Sequence, residues 1–447
     1  MHRFAFLAGM AGLLFIAVCS SGGGSAVAAG AGYVVGDEPY AVKTGAAALD
    51  QGGSAADAAA AMYFTLAVTY PMAAGLGGGG ICVVHDPASG ANEAFEFLPH
   101  DAAGGGSYAV AGSVNGIAAM QTAYGKLPRQ RAVGTAEGIA ATGFPISRAL
   151  AIRLRASQDV IRLDAGLAAE FLDESGQVKR EGSVVMNGDL AQTLSAIRSY
   201  GANGFYGGPV AQKISAYAVA QAGSVSLAEL RAYRTAGSQP GAINVGGNTV
   251  YGPSAHVGAG AFANKLLSRL LDQSGNPSPQ DNLAAATAAA TKAALDKFAI
   301  ASLPEDLGAT GFAALDDSGQ AVACAVTMNG PFGSGHTAAG TGVTLAKAPS
   351  SGKAGLSSAF LTPVIATEGA SGAVTLAGAG VGGPNGRAAI VYALLRLGSG
   401  ADLTRPSMVR TTSIAPYDTV NVIACKDAAC VALADPGANG LGLSTGR

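Results

Sequence analysis

The stretch Ala309-Thr310-Gly311-Phe312-Ala313-Ala314-Leu315-Asp316-Asp317-Ser318-Gly319-Gln320-Ala321-Val322-Ala323-Cys324-Ala325-Val326-Thr327-Met328 predicts a β-hairpin. Two apolar runs, 312–315 and 321–328, flank a turn built from small polar residues and a glycine. Working outward, strands are expected at 360–366 and 374–377. A hairpin is expected over 81–85 and 94–97, around Pro87-Ala88-Ser89-Gly90, and a strand pair near 242–251. Helices fill the intervals. One covers 40–50 and is closed by Gly52-Gly53. The next is opened by Ser54 with Asp57 three residues on, a capping box. The pattern over 114–233 is predominantly helical, including 190–198 and 210–222. Residues 284–294 read as a short connecting helix, and 384–397 as a late helix with proline in its first turn. Strands from both ends of the chain with helix pairs between them point to one layered α/β unit rather than two separate domains.

The chain has 447 residues, 49% hydrophobic and 13% charged, enough to bury a large core. A formal charge of -2 supplies neither a basic face for nucleic acid nor a polybasic membrane patch. The absence of tryptophan argues against a platform for stacking bases or sugars, whereas a small polar substrate is compatible. The five histidines are scattered without metal-ligand spacing, so neither a metal nor another cofactor is expected.

Arg3, an apolar run over 4–18 and then small residues have the layout of a secretory signal, with residues 1–31 forming signal and Gly/Ser tether. Two processing readings compete. Ala26-Val27-Ala28 fits an A-x-A cleavage site. Ile16-Ala17-Val18-Cys19 followed by Ser20 fits a bacterial lipoprotein signal lipidated at Cys19, although Val18 suits the position before the cysteine poorly. The second is favoured, because the first site lies far beyond the apolar run. Either way the protein is expected to be exported, to the bacterial periplasm or cell envelope, with a lipid anchor as its one route to the membrane. Cys425 and Cys430 flank four residues between strand-like runs 420–424 and 431–434, which predicts a hairpin disulfide contributing roughly 2 kcal/mol. Cys82 and Cys324 lie inside apolar strands and are expected as buried free thiols.

Short glycine motifs carry little weight. G-x-G-x-x-G occurs at Gly75-Gly77-Gly80 and Gly378-Gly380-Gly383, but with 66 glycines in 447 residues about one such match is expected by chance. The acidic residue near the ribose-partner spacing of the second, Asp402, sits in a polar loop rather than at a strand end. G-x-S-x-G at Gly442-Ser444-Gly446 has no helix after it and cannot be a nucleophile elbow.

Longer segments in order say more. Gln51-Gly52-Gly53-Ser54-Ala55-Ala56-Asp57-Ala58 and Leu76-Gly77-Gly78-Gly79-Gly80 come first, then Asn203-Gly204-Phe205-Tyr206-Gly207-Gly208 and Leu227-Ala228-Glu229-Leu230-Arg231-Ala232-Tyr233. Asn329-Gly330-Pro331-Phe332-Gly333-Ser334-Gly335, Leu356-Ser357-Ser358 and Gly382-Gly383 follow. Together, over about residues 32–400, they resemble the γ-glutamyltransferases. The resemblance implies a four-layer αββα sandwich of the N-terminal nucleophile (Ntn) hydrolase type, with residues 32–308 corresponding to the large subunit and 309–447 to the small. It also implies a mechanism. The precursor cuts itself to free a threonine, whose hydroxyl attacks the γ-glutamyl amide while its new α-amino group, pKa roughly 7.7–8, serves as base.

Carried over in register from the Asp316 turn, the family's threonine, threonine and histidine fall on Ala309, Thr310 and Gly311. The nucleophile slot is Ala309, and a methyl group attacks nothing. Thr310 is adjacent, but one step along a strand turns a side chain to the opposite face, so Thr310 would need a local bulge to act. The family's arginine for the substrate carboxylate falls on Leu98, removing a contact of roughly 1.5–3 kcal/mol. The normally acidic segment, 343–356, holds Lys347 and Lys353 and no acid. The stretch 281–308 is also short for the family. Other residues persist: Gly382 and Gly383 match the oxyanion hole, Ser357 and Ser358 the substrate-positioning serines, and Thr327 and Asn329 the residues that orient the nucleophile and bind substrate. Each has a plainer reading as a turn or cap.

The expectation is therefore an uncut chain, silent toward glutathione, acting as a binding or structural protein at the cell envelope. A small γ-glutamyl or acyl-amide molecule is its candidate ligand. The alternative is an active amidohydrolase or acyltransferase using Thr310, or a nucleophile such as Ser334. A lone replacement at Ala309 in an otherwise active enzyme would leave Leu98 and the missing acidic segment unexplained.

Overall fold

The Asp316 turn forms as its chemistry directs. The carboxylate Oδ1 accepts from the N–H of Ser318 at 2.9 Å and of Gln320 at 3.0 Å, and Gly319 takes the left-handed conformation, φ +86°. Strands Ala309–Leu315 and Ala321–Thr327 run antiparallel from it, with Ala309 opposite Thr327. The turn also seats a helix. Asp316 Oδ2 and Gln320 Oε1 accept from the N–H groups of Ala55 and Ala56, each at 3.1 Å, at the start of helix Ala55–Thr69. That helix carries the Ser54–Asp57 capping box and is buried all round, and its alanines let neighbours approach on every side.

This computed structural model describes residues 32–271, 282–297, 299–351, 355–404, 417–427 and 429–446. The signal and tether, Cys19 included, and Lys353 lie outside the described residues. The hairpin sits within a seven-stranded antiparallel sheet, in the order Leu441–Ser444, Tyr33–Gly36, Ala309–Leu315, Ala321–Thr327, Gly79–Asp86, Ala91–Phe97, Gly237–Ser238. A second sheet runs Ala429–Leu433, Thr419–Lys426, Val374–Val381, Thr362–Glu368, Asn248–Gly252, Gly241–Val245. The two stack face to face, Val35, Val83, Ala313 and Ala323 packing on Ile365, Ala377 and Ile423. Helices Pro39–Asp50 and Ala55–Thr69 cover the outside of the first sheet, and Pro384–Gly398 covers the second with Ile390, Val391 and Leu394. The result is the four-layer αββα sandwich. Strands from before and after residue 308 enter both sheets.

Cys425 and Cys430 face each other across a hairpin and are bonded. The reading of Cys82 and Cys324 as free thiols is corrected: they form a disulfide. The two occupy directly opposed positions of neighbouring strands, Cα atoms 4.1 Å apart, although 242 residues separate them in sequence. The pairing register, unreadable from local sequence, brings the sulfurs together.

Candidate active site

Ala309 opens its strand from Gly308, whose φ of +61° and contact with Gly330 leave no room for a side chain: a Cβ would lie 2.1 Å from the Gly330 backbone. The Ala309 methyl is 2% exposed and lies between the sheets among Ile81, Ala325, Leu361, Ala379 and Val381. Leu98 and Val257 pack against the same cluster. Ala309 and Leu98, the positions expected for the nucleophile and for the carboxylate-binding arginine, thus share one apolar patch.

Thr310 is fully buried, and its hydroxyl donates to Asp37 Oδ2 at 2.7 Å. Asp37 also accepts from Thr419 Oγ1 at 3.0 Å and Asn421 Nδ2 at 2.7 Å, so one carboxylate ties strand Ala309–Leu315 to strand Thr419–Lys426 of the other sheet. The strand pairs regularly through Ala309 and Thr310, without a bulge.

The residues expected around the nucleophile gather instead on the segment just before it. Thr327 Oγ1 donates to the Gly308 carbonyl at 2.9 Å, and the Met328 N–H donates to the same oxygen at 2.9 Å. Ser357 Oγ donates to the Leu307 carbonyl at 2.7 Å. Asn329, at φ +60°, donates its N–H to Thr327 Oγ1 at 2.9 Å and its side-chain amide to the Lys347 carbonyl at 2.9 Å. Ser358 reaches Asn329 Oδ1 only at 3.4 Å. Ser334 is turned away, its hydroxyl donating to the Leu345 carbonyl at 2.8 Å.

Sequence reasoning missed a buried ion pair that completes this clamp. Arg153 binds Asp306 through two nitrogens, donates to the Ala309 carbonyl at 3.1 Å, and lies 5.3 Å from the ring centres of Tyr70 and Tyr417. Asp306 accepts in turn from the Gly308 N–H at 2.7 Å. A signal was present: Arg153 falls three residues after Leu150 and beside Leu154, on the buried stripe of helix Arg148–Ala156.

Gly382 and Gly383 lead into helix Pro384–Gly398. Gly382 has φ +92°, and a Cβ there would meet the Tyr417 carbonyl at 2.1 Å. Against Gly383 lies the Asp418 carboxylate, 2.7 Å from where a Cβ would be, accepting from the Asn385 N–H at 3.2 Å. Burial pushes the Asp418 carboxyl up to about 6. At neutral pH a negative charge therefore sits beside the glycine pair, a poor setting for a developing oxyanion. Among the described residues, no cluster of three or more His, Cys, Asp or Glu could hold a metal ion.

Known proteins bear on this geometry. The sequence profile of the gamma-glutamyltranspeptidase family matches residues 41–274. Glutathione hydrolase 2 of Arabidopsis thaliana is 32% identical over 265 residues, 55% of this chain and 45% of its own length. A glutathione hydrolase proenzyme of Pseudomonas aeruginosa is 31% identical over 255 residues, 53% of this chain and again 45% of its own. The chain thus spans less than half the length of these relatives. Among solved structures, cephalosporin acylase from Bacillus halodurans superposes with a TM-score of 0.74 over 93% of this chain and 96% of its own, at 17% identity, a likeness of fold. The gamma-glutamyltranspeptidase of Helicobacter pylori superposes with a TM-score of 0.52 at 25% identity, over 60% of this chain and 85% of its own.

Proposed function

This chain belongs to the gamma-glutamyltranspeptidase family, and we propose that it is a member that stays uncut, neither processes itself nor hydrolyses or transfers from glutathione, and serves as an exported binding or structural protein of the cell envelope. One observation carries the reading: the strand position that should bear the nucleophilic hydroxyl bears a buried methyl in an apolar patch. The Leu307 and Gly308 carbonyls and the Gly308 N–H are all held by buried donors and acceptors, which suits a continuous chain at this point. Purified protein run on a denaturing gel tests the proposal. Reduction is essential, because the Cys82–Cys324 bond would hold the two fragments together after a cut between Gly308 and Ala309. A single full-length band supports the reading, and two fragments meeting at Ala309 contradict it. For export, the mass of the mature N-terminus distinguishes a lipidated Cys19 from an unmodified start at Ala29.

A second reading rests on the Thr310–Asp37 contact, since a hydroxyl 2.7 Å from a carboxylate has the spacing of a nucleophile and its base. Full burial and the two further donors on Asp37 weigh against it. Turnover of acyl anilides that disappears in Thr310→Ala would favour it.

A further inference from the structure

The outer helical layer holds a cavity of about 310 Å³ where helices Pro39–Asp50, Ala55–Thr69, Ser113–Tyr124 and Arg129–Thr142 meet. Short side chains open it: Ala47, Ala48, Ala61 and Ala132 stand where larger residues would close the gap. The space lies by the Asp316 turn, whose carboxylate holds the N–H of Ala55, two residues before Asp57. Strand Ala309–Leu315, roughly 20 Å long, separates that turn from the candidate active site.

The walls are polar at two depths. Asp57 and Gln121, 1% and 5% exposed, form the buried side. Asp57 Oδ2 accepts from the N–H groups of Ser54 at 3.0 Å, Lys126 at 2.7 Å and Leu127 at 3.0 Å, and Oδ1 from Gln121 Nε2 at 3.0 Å. An amide donates to a carboxylate only through its nitrogen, so this contact fixes the Gln121 side chain. Its Oε1 is left at the cavity as an acceptor that no donor reaches among the described residues. Gln51 and Arg131 form the exposed side, Arg131 Nη1 donating to Gln51 Oε1 at 2.7 Å. That bond steadies the guanidinium at the opening and leaves most of its N–H groups for a ligand.

The two depths ask for different groups. Gln121 Oε1 takes a hydroxyl, whereas the guanidinium takes a carboxylate in paired geometry. The volume lies at the small end of the range for organic ligands. An acyclic hydroxy acid carries both groups on one short backbone and needs no aromatic platform, in keeping with a chain that has no tryptophan.

We infer that this cavity is a separate ligand site and binds an acyclic hydroxy acid of sugar-acid size, its carboxylate on Arg131 and its hydroxyls reaching Gln121. Nothing in this depends on whether residue 309 can react, so an inert chain and an active one bind alike.

Calorimetric titration of the purified chain with D-gluconate at pH 7.5 tests it. Saturable binding is expected, with a rise in melting temperature at saturation. D-glucitol keeps the hydroxyls without the carboxylate, and hexanoate the carboxylate without the hydroxyls. Each should bind at least about tenfold more weakly than gluconate. Arg131→Gln should weaken gluconate about tenfold or more and leave glucitol unchanged. Ala47→Phe, which fills the opening from the exposed face of its helix, should weaken both. Arg131 and Ala47 are exposed, so the free variants should melt with the parent. Absence of saturable gluconate binding would overturn the inference. So would equal or tighter binding of glucitol, hexanoate or glycerol 3-phosphate, or full gluconate affinity in either variant.

Discussion

The two sides of the peptide bond between Gly308 and Ala309 have fared differently. On the carbonyl side, Thr327, the Met328 N–H, Ser357 and Asp306 hold the chain through hydrogen bonds of 2.7–2.9 Å, and Arg153 pairs with Asp306. On the amine side, the Ala309 methyl is enclosed by leucine, isoleucine, valine and alanine. The difference has a physical basis. The bonds on the carbonyl side satisfy backbone groups that would otherwise be buried without partners, at a cost of about 1–3 kcal/mol each. They stabilise the fold whether or not any reaction takes place. A nucleophilic hydroxyl between two sheets has no such second use. Matching residues at Thr327 and Ser357 therefore report the needs of a buried backbone and are weak evidence of activity.

Four substitutions break or sharpen this contrast. Arg153→Met removes the buried partner of Asp306 and the donor to the Ala309 carbonyl. It should destabilise the protein by about 3–5 kcal/mol, read as a lower denaturant midpoint. Next comes the acidic corner after strand Tyr33–Gly36. Glu38 caps helix Pro39–Asp50, accepting from the Ala41 N–H at 3.0 Å and from Thr69 Oγ1 at 2.8 Å, while burial pushes its carboxyl up to about 7. Between about pH 4.5 and 7 the folded chain holds a proton that the unfolded chain has released, so stability falls as pH rises through this window. Glu38→Gln should thus raise stability by about 3 kcal/mol at pH 8 and change it little at pH 4, flattening the dependence of melting temperature on pH.

Thr327→Val takes one donor from the Gly308 carbonyl and the acceptor from the Asn329 N–H. A loss of about 2 kcal/mol is expected in urea unfolding. Ser358→Ala should fall within about 0.5 kcal/mol of the parent, since its contact with Asn329 is long and only partly buried. Had these residues been kept for turnover rather than for the fold, Ser358 and Thr327 would matter in activity assays and hardly at all in unfolding. Equal stability of the Thr327→Val chain would undo the contrast.

Much of the fold was legible because its signals are local. Polar turn residues around Asp316, the Ser54–Asp57 cap and the proline opening the late helix each act within a few residues, and each element formed where expected. The same locality made the Cys425–Cys430 bond readable. Long-range pairing was not. Strand Tyr33–Gly36 and its neighbour at the sheet edge, Leu441–Ser444, are four residues each, too short to show a period, and they pair with each other across nearly the whole chain. The Cys82–Cys324 bond depends on the register of strands from distant segments. The ion pair of Arg153 with Asp306 and the Asp37 junction depend on where the sheets bring isolated charges together. At the site, register counting placed Ala309 at the head of its strand. What Thr327, Ser357 and Asp418 touch emerged only from the packed chain.

The proposed silence requires that no side-chain hydroxyl, from residue 310 or elsewhere, reach an acyl group held beside Gly382 and Gly383. Its most direct test is the intact mass of the reduced protein, taken during incubation with a γ-glutamyl anilide. The account predicts one unbroken polypeptide with no added mass throughout. A covalent γ-glutamyl adduct, mapped by peptide analysis to residue 310 or to any other hydroxyl beside Gly382 and Gly383, would contradict it.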